Sequence, residues 1–456
     1  MKANRSLSRL GRAAKRAMMF SLVAGSAVSL SAATTNAPSL LPAKPKWLKE
    51  ASMTVKESYD DNVFLSDYDN VRVAPVSGSV SAAPNKHSWV TTMSPKLIVD
   101  FAPMISSDPE DLVRSLTLGY VPEFARYHDV KSESYSAERV ATGMKLKCGD
   151  VTLTGDNLFT YIDGSDFGPS YKNQGGRYNA FMNSAVRERR EQVQDKANVA
   201  LQYDMDCWFL RGVGMLQNVN MLTESINDTN YVNYVDRYDR NFGGDLGYKV
   251  TTNFALTLGY RVGEQHQARL PAGMNQRSAS SEYQRLLFGM EGNPTKWLTA
   301  KVQAGPDFRD YSDSTAVKDS SPVAFYGDAS LEAKVSSKDT VGLKYKQSRS
   351  VSSTGITATE ESALELSYAH KLTDKLTALL GGRVAEADYR ASVSQTRNDV
   401  DYQLSAGVRY AFTPNLSAEL GYMAEVGREL ANDTLLNKEA RTFDRNVTSL
   451  SVTLKY

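Results

Sequence analysis

Within the last eleven residues, 446–456, apolar and polar side chains alternate strictly from 449 onward. The apolar positions, two residues apart, are Leu450, Val452, Leu454 and Tyr456. The positions that alternate with them are Ser449, Ser451, Thr453 and Lys455. Because successive side chains of a β-strand point to opposite faces, this stretch predicts a strand with one apolar and one polar face. Such a strand suits a wall between hydrocarbon and water, and it also suits an edge strand of a soluble sheet.

The same pattern recurs from about residue 51 onward as a unit of strand, tight turn, strand and longer polar loop. Tight turns are predicted near residues 249–253, 293–296, 336–339, 371–375 and 413–415. Propeller blades would also repeat in this way, but short turns alternating with long polar loops are typical of a transmembrane barrel. The pattern predicts an all-β fold, a transmembrane antiparallel up-and-down barrel of about 18 strands, with 16 as the lower count. One strand is predicted over 112–126.

The two faces of the predicted strands differ sharply in charge. Apolar positions such as Leu256, Val302, Leu366 and Leu420 form an uncharged set, which is predicted to face lipid. The opposite set carries many charges and is predicted to line a water-filled pore. Its members are Arg261, Lys301, Arg309, Asp328, Glu332, Lys334, Lys344, Glu365, Arg383, Arg409, Glu419 and Glu425. The alternative is the solvent face of a periplasmic sheet, which has the same appearance over one hairpin.

The N-terminus has the composition of an export signal. Six basic residues within positions 2–16 precede the apolar and small-residue run 17–30, and Ser31-Ala32-Ala33 offers a cleavage site. We therefore expect residues 1–33 to be a cleavable signal peptide, 34–50 a short periplasmic extension and 51–456 the barrel. An uncleaved anchor is the alternative, but the apolar run is short for a spanning helix.

Composition narrows the classes of partner. Lys and Arg total 53 against 52 Asp and Glu, which gives a net charge of +1 and no whole-molecule field for nucleic acid. The 24 tyrosines suit a membrane interface, where a ring lies in lipid and its hydroxyl in water. Cys148 and Cys207 lack the spacing of a redox or metal motif. They are expected on tight turns at the periplasmic side, either as structural or free thiols or as a disulfide in an oxidising compartment.

No catalytic or metal motif stands out, and no cofactor is predicted. The four histidines, His87, His128, His266 and His370, are expected on loops and turns. The charged stretch Arg187-Glu188-Arg189-Arg190-Glu191 is interpreted either as an anion-attracting lip or as a self-paired, solvated segment above the membrane. The segment from Asp163 to Pro169, with Gly175-Gly176 after it, predicts a long loop that could fold inward.

Two segments carry a resemblance to known proteins. The stretch Glu57-Ser58-Tyr59-Asp60-Asp61-Asn62-Val63-Phe64 resembles the start of the bacterial β-barrel porins called beta-barrel porin 2. The alternating segment that ends in Tyr456 resembles the signal read by the barrel-assembly machinery of the outer membrane. This resemblance implies an outer-membrane location and passive diffusion of small hydrophilic solutes, with no catalytic residue. Asp60, Asp61 and Asn62 could bind a cation, but a polar turn is the preferred interpretation.

Three hypotheses of function follow. The first is a porin, whose partners are outer-membrane lipid, the assembly machinery and small solutes, with homo-oligomer formation left open. The second is a closed or dedicated barrel for export or surface-polysaccharide assembly, or a structural anchor. The third, an outer-membrane enzyme, has no residue set to support it. TonB-dependent uptake is not expected, because the chain is too short for a plug and a 22-stranded barrel.

Overall fold

The chain folds into strands joined almost entirely by antiparallel pairing. The computed structural model describes residues 44–65, 71–73, 81–82, 86–105, 111–164, 169–172, 178–180, 189–222, 236–268, 278–312, 323–351, 358–390, 397–430 and 442–456. The predicted signal peptide lies outside the described residues, as does the extension up to residue 43. A helical turn at Ala102–Ile105 and a 3-10 turn at Lys131–Glu133 are the helical segments of the described part. Neither is long and apolar enough to cross a bilayer.

Nineteen of the strands build the wall. They are β1 (Leu48–Asp60), β4 (Ser88–Asp100), β5 (Val113–Tyr120), β6 (Glu123–Tyr127), β7 (Tyr135–Cys148), β8 (Val151–Asp163), β11 (Gln192–Met205), β12 (Trp208–Met221), β13 (Arg237–Thr251), β14 (Phe254–Gln267), β15 (Ser281–Thr295), β16 (Leu298–Tyr311), β17 (Val323–Lys334), β18 (Asp339–Val351), β19 (Ala358–Lys371), β20 (Leu376–Arg390), β21 (Arg397–Ala411), β22 (Leu416–Glu429) and β23 (Phe443–Lys455). The four others are β2 (Val71–Val73), β3 (Ser81–Ala82), β9 (Pro169–Lys172) and β10 (Tyr178–Ala180).

The wall closes on itself. Strand β1 pairs with β4 on one side and with β23 on the other, and β8 pairs with β11. Strands β5 and β6 share one position, because both pair with β4 and β7. Counted as positions in the wall, the barrel has eighteen, which confirms the predicted fold and strand number.

The position shared by β5 and β6 differs from the single strand predicted over 112–126. The break lies at Val121 and Pro122, between the two strands. Proline has no N–H to give to a ladder and therefore interrupts a strand in the middle of a sheet. Val121 N still donates to Arg139 O at 2.7 Å, so the chain stays attached to β7 across the break.

Connections differ at the two ends of the barrel. At one end, only two to four residues separate the two strands of each hairpin, as at Thr252-Asn253. These hairpins are β7–β8, β11–β12, β13–β14, β15–β16, β17–β18, β19–β20 and β21–β22. At the other end the connections are long, and two of them supply β2, β3, β9 and β10. These four short strands pair as a separate sheet in the order β10-β9-β2-β3. The long-loop end thus carries a structure of its own beyond the wall.

The outer face of the wall is apolar along the strand register. Directly paired residues on consecutive strands from β14 to β21 form one such row: Leu256, Met290, Val302, Ala329, Tyr345, Leu364, Val384 and Tyr402. Leu256, Leu366 and Leu420 are 47%, 52% and 58% exposed, so no second layer covers them. Near the short turns Trp208 and Tyr248 lie with ring centroids 4.8 Å apart, as in an aromatic belt at a membrane interface.

Candidate functional site: the polar lumen

The inner face carries a row of charges next to the apolar row. Because directly paired residues of adjacent strands project from the same face, one register row crosses nine strands from β15 to β23. It consists of Glu291, Lys301, Ser330, Lys344, Glu365, Arg383, Gln403, Glu425 and Arg445. We call it the charged row. Seven of its nine positions carry a charge, which only a face in contact with water or counter-charges can tolerate.

Opposite charges within and beside the charged row form ion pairs. Arg383 lies 3.6 Å from Glu365 and 3.3 Å from Asp401. Arg445 Nη1 lies 2.8 Å from Glu425. Six residues nearer to the short turn on β21 and β22, Arg409 and Glu419 are directly paired residues, and their charged atoms are 2.7 Å apart. The inner wall is therefore a mosaic of both signs.

The predicted pore-lining residues all belong to this face. Lys301, Lys344, Glu365, Arg383 and Glu425 lie in the charged row, and the others follow at even spacing or in direct register with it. Arg261, Lys301 and Asp328 line a cavity between distant strands. Arg409 and Glu419 line a second cavity of about 660 Å³, and Glu332 and Lys334 a third near the short turns. That these residues line a conducting pore stays a prediction.

A cavity of about 1050 Å³ occupies the interior between distant strands. We call it the main cavity. Its lining includes Lys145 on β7, Lys196 on β11 and Lys346 on β18. Strands β11 and β18 are seven positions apart in a wall of eighteen, so side chains from nearly opposite walls face one space. The Lys196 ammonium is close enough to Lys346 and Asp328 to interact with both charges.

Beside the main cavity lies a buried group of charges that we call the arginine cluster: Arg285, Arg309, Arg349 and Asp307. Asp307 is fully buried and accepts from Arg285 Nε at 2.9 Å and from Arg309 Nη2 at 3.0 Å. The Arg285 guanidinium lies between two aromatic rings, 4.0 Å from the centroid of Tyr283 and 4.4 Å from that of Tyr326. Arg309 was predicted to line the pore, but it is packed inside this cluster and is 4% exposed.

The arginine cluster holds the end of β18 against strands that are not its neighbours. Arg309 Nη2 and Gln265 Nε2 both donate to the Arg349 carbonyl, at 2.8 and 3.3 Å. Arg237 Nη1, on β13, donates to the Val351 carbonyl at 2.8 Å. Since β13 and β18 are five positions apart, the end of β18 must lean across the lumen at the long-loop end. These side chains narrow the opening of the barrel at its long-loop end. The alternation pattern could not predict their contacts, because they join strands that are not neighbours.

Most of this barrel matches a known protein family. The family described as "Putative beta-barrel porin 2" matches residues 173–456, more than half of the chain. The chain belongs to the beta-barrel porin 2 family. The match begins before β11 and includes every later strand to β23. This beta-barrel porin 2 protein is accordingly an outer-membrane barrel of a Gram-negative type of envelope, as the short motif and the alternation led us to expect.

Three solved structures from Pseudomonas aeruginosa are similar to this chain over most of its length. OccK2 (OpdF) in complex with glucuronate is 12% identical and has a TM-score of 0.40, with 89% of this chain and 98% of that chain covered. OpdK with vanillate gives the same four values. The siderophore receptor PirA is 9% identical, with a TM-score of 0.39 and coverages of 91% and 81%. No curated protein matches the chain.

The charged stretch around Arg189 in this beta-barrel porin 2 protein is not solvated, contrary to one of our interpretations. Arg190 is fully buried and Glu133, in the 3-10 turn, is 1% exposed. Arg189 Nε lies 2.9 Å from the Glu133 carboxylate, which Arg190 also contacts. Arg189 Nη2 donates to the Val63 carbonyl at 2.7 Å. These two arginines therefore fasten the long-loop end to the wall; Arg187 and Glu188 lie outside the described residues.

Electrostatics sets the charge state of this buried contact. Burial alone would raise the pKa of Glu133, but the charges and hydrogen bonds of Arg190 and Arg189 outweigh burial and hold that pKa below its usual value. The pKa of Arg189 is raised, because the negative partners around it outweigh the burial that would lower it. Glu133 and Arg189 thus stay ionised near neutral pH, and their contact is a structural anchor at the long-loop end.

The motif that carries the family resemblance joins the two ends of the wall. Asp60, 2% exposed, accepts from Arg445 Nη2 at 2.8 Å, and Asp61 accepts from the Asn446 backbone N–H at 2.6 Å. Asn62 Nδ2 donates to the Asp444 carbonyl at 2.9 Å. All three contacts reach from the end of β1 to β23. The motif is therefore a polar turn, as preferred from the sequence, that also holds together the seam of the barrel, where β1 meets β23.

The other residues that were considered for metal binding or reactivity, mainly histidines and cysteines, lie apart from one another. Within the described ranges, no group of three or more His, Cys, Asp or Glu side chains is placed to hold a metal ion. His266 and His370 lie in β14 and β19, so their predicted place on loops or turns is wrong. His266 stacks on Tyr238 with ring centroids 5.0 Å apart, and His370 Nδ1 lies 2.7 Å from Asp339.

Cys148 and Cys207 are free and exposed, and the structure has no bridge between them. Of the predicted long loop, 165–168 and 173–177 lie outside the described residues.

Proposed function

We propose that this beta-barrel porin 2 protein is an outer-membrane channel through which small hydrophilic solutes diffuse passively. The observation that carries the proposal is the main cavity, because charged side chains from nearly opposite walls share one hydrated space inside a closed barrel. Lipid could not solvate these charges, and the exposed apolar outer face distinguishes the wall from a soluble sheet. An eighteen-stranded wall is wide enough for an aqueous path unless loops fill it.

The class of solute follows from the mixture of positive and negative charges on the inner wall. A wall with both signs and many hydroxyls can replace water around polar solutes without holding them tightly, which passive flux requires. We propose that the twelve predicted residues contribute to this wall, either facing the path or, as with Arg309, bracing it. We propose as well that the protein catalyses no reaction, which its membership in a family of porins supports.

The deciding test is conductance. Purified protein reconstituted in a planar bilayer should give discrete steps of current, and vesicles that contain it should swell in an isosmotic solution of a small sugar. A heat-denatured sample at the same concentration is the control for detergent leakage. If the folded protein leaves both the membrane current and the vesicle volume unchanged where a control porin alters them, passive diffusion is wrong.

One observation favours the second candidate, a dedicated barrel that stays closed until a partner arrives. Two long connections build the small sheet β10-β9-β2-β3 at one end, and the buried contact of Arg189 and Arg190 with Glu133 fastens that end. On this hypothesis the isolated barrel shows no flux. Removal of residues 66–85, which join β1 to β4, would then produce conductance that the complete protein lacks.

Assembly partners are proposed on the basis of the last strand. Leu450, Val452 and Leu454 project from the outer face and are 54%, 44% and 41% exposed. The Tyr456 N–H donates to the Ala51 carbonyl at 2.8 Å, beyond the end of β23. We propose that Leu450, Val452, Leu454 and Tyr456 are read by the barrel-assembly machinery before the seam closes. Homo-oligomer formation is left to measurement.

A further inference from the structure

We infer that the main cavity selects small organic anions that carry carboxylate groups, and that Lys196 and Lys346 are its selectivity residues. This inference rests on the proposed channel function and adds the class of solute. Ten basic and seven acidic side chains line the main cavity, an excess of three positive charges. Seven of these seventeen groups form ion pairs with neighbours in the wall.

The acids of the main cavity are largely engaged. Asp245 is bound by Arg211 and Arg261, at 2.9 and 2.7 Å, and Glu291 by Arg211 at 2.8 Å. The other acids that accept hydrogen bonds or ion pairs from wall groups are Asp156, Asp204, Asp239 and Glu361. Asp328 is the exception among the described acids of this cavity, since no hydrogen bond or ion pair reaches it. Asp156, Asp239 and Glu361 accept from uncharged donors, so they are held at the wall but keep their negative charge.

The arginines are also engaged. Arg211, Arg261, Arg285 and Arg349 all have acidic partners, and Arg237 donates to the Val351 carbonyl. They stiffen the wall and shape the cavity. These arginines therefore attract a moving anionic solute less strongly than their number suggests.

The lysines differ from both groups. Five of them line the main cavity, and in the described part of the chain none has a hydrogen bond or ion pair to its ammonium: Lys145, Lys147, Lys196, Lys301 and Lys346. All five are exposed to the lumen. An ammonium has three donors and no acceptor, so an unengaged lysine is available to a carboxylate. In the described part of the chain, these five lysines without an ion-pair partner face four carboxylates without one, Asp156, Asp239, Asp328 and Glu361, so the aqueous path keeps a modest positive excess.

Proximity within the main cavity singles out two of the five. Lys196 projects from β11 and Lys346 from β18; both line the cavity and are close enough for their charges to interact. A solute that passes between them meets two cations. Two carboxylate oxygens, or two carboxylates of one solute, can then accept from both ammonium groups. Asp328, in direct register with Lys346, moderates this attraction together with Asp156 and Asp239, which also act on the Lys196 charge, and keeps the anion from being held too tightly to leave.

The first experiment measures ion selectivity. The reversal potential of the reconstituted channel is recorded across a gradient of potassium chloride, for the native sequence and for K196Q/K346Q. We expect the native channel to favour chloride over potassium, and the double variant to lower that permeability ratio by about threefold or more. The preference should shrink in 1 M salt, where the screening length falls to about 3 Å. Glutamine is one bond shorter than lysine and keeps a long polar side chain without the charge, and the heat-dependent shift in gel mobility reports whether each barrel is folded.

A matched variant removes the same charge elsewhere. Lys338 and Lys375 are exposed on short turns outside the main cavity. K338Q/K375Q should leave the permeability ratio near that of the native channel. An equal change in both double variants would mean that net charge, rather than these two positions, sets selectivity, and the assignment would be wrong.

A second experiment is independent of current. Binding of citrate to the detergent-solubilised barrel is measured by calorimetry, and K196Q/K346Q should weaken it by about tenfold or more. Conductance without chloride preference, together with citrate binding that the substitutions leave unchanged, overturns the inference while the channel function stands. Citrate binding that the substitutions weaken, in a barrel with no conductance, supports the anion site and contradicts the proposed function instead.

Discussion

At the scale of single residues, the barrel depends on a few positions where the alternation rule gives no guidance. Gly292 has a φ of +111°, and a Cβ placed on it would lie 2.0 Å from the Asn253 carbonyl oxygen. Glu133 and the two arginines that bind it come from separate connections. Sequence reasoning recognised the charge density near Arg189 but interpreted it as solvated, because the residue that neutralises it is more than fifty positions away.

Substitution of Gly292 tests the backbone at the turn between β15 and β16. We expect Gly292→Ala to lower the free energy of unfolding by about 1 to 3 kcal/mol, since the position needs a positive φ and has no room for a methyl group. Gly212→Ala, where nothing lies within 4 Å of the added carbon, is the matched control and should change it little. Urea unfolding in lipid vesicles, followed by tryptophan fluorescence, measures both. Equal effects of the two substitutions would contradict the strain argument.

Neutralisation of Glu133 tests the anchor at the long-loop end. Glu133→Gln leaves two arginines buried beside an uncharged side chain and should cost about 3 kcal/mol of local stability. Limited proteolysis within 181–188 is a suitable measurement, and Glu282→Gln, at an exposed residue, is the control. If the cleavage rate of the Glu133 variant equals that of the control, the buried pair does not anchor this end.

The same contact predicts a pH dependence. Because the pKa of Glu133 is lowered in the folded protein, its stabilisation is complete above the unfolded value of about 4.3 and is lost as pH falls through the lower, folded value. Cleavage of the native protein within 181–188, by a protease active in acid, should therefore rise steeply only below about pH 4.3. The Glu133→Gln variant should lack this step; an identical step in both proteins would assign it to another carboxylate.

At the scale of strands, the sequence was most informative. Period-two alternation predicted which side chain of a pair such as Val302 and Gln303 faces outward, and the strand register agrees. Short turns were also predictable, because Asn, Asp, Pro and Lys interrupt the alternation. The lean of β18 across the lumen was not, since contacts such as Arg237 with Val351 join residues on strands that are not neighbours. The break at Pro122 was missed although proline itself signals it.

Adjacent positions on β16 test the two faces directly. Val302→Arg should destabilise the barrel in lipid vesicles by roughly 2 to 4 kcal/mol, because it places a charge against hydrocarbon. Gln303→Arg, one residue further and beside Asp328 in the register, places the same charge in the lumen and should be tolerated. Unfolding free energies in vesicles decide between them. A larger cost at Gln303 than at Val302 would reverse the assignment of the faces.

The seam between β1 and β23 provides a second test. Asp60→Asn breaks a buried ion pair with Arg445 and should cost about 3 kcal/mol, whereas Asp61→Asn removes a more exposed acceptor and should cost about 1 kcal/mol or less. Combining Asp60→Asn with Arg445→Gln in a double-mutant cycle should show that the two effects are not additive. Additive free energies would mean that the two side chains do not depend on each other.

At the scale of the whole molecule, the number of strands and the closed architecture followed from the sequence, but the interior did not. Alternation reports which face a side chain occupies and carries no information on distance across a lumen. Lys196 and Lys346 are 150 positions apart, and only closure of the wall brings their charges within range. Lys196 was consequently absent from the residues predicted to line the pore. Selectivity is a property of the assembled barrel.

Assembly in cells tests the proposed signal in the last strand. Tyr456→Ala should reduce the amount of folded barrel in the outer membrane, because the terminal aromatic ring is part of the recognised set. Lys455→Ala, on the other face of the same strand, is the control. Quantitative blotting of heat-modifiable protein in the membrane fraction measures both variants. A normal level of folded Tyr456→Ala protein would exclude this residue from the signal.

The pairing of Ser52 with Lys455 also sets an order of events during biogenesis. The first wall strand to be synthesised has one edge that stays without its partner until nearly the whole polypeptide has been made. During that interval its unpaired N–H and C=O groups can recruit a strand from another molecule. The cell must therefore shield an unfinished, open-sided sheet, and holding chaperones should matter more for this protein than for a barrel whose ends meet after fewer strands.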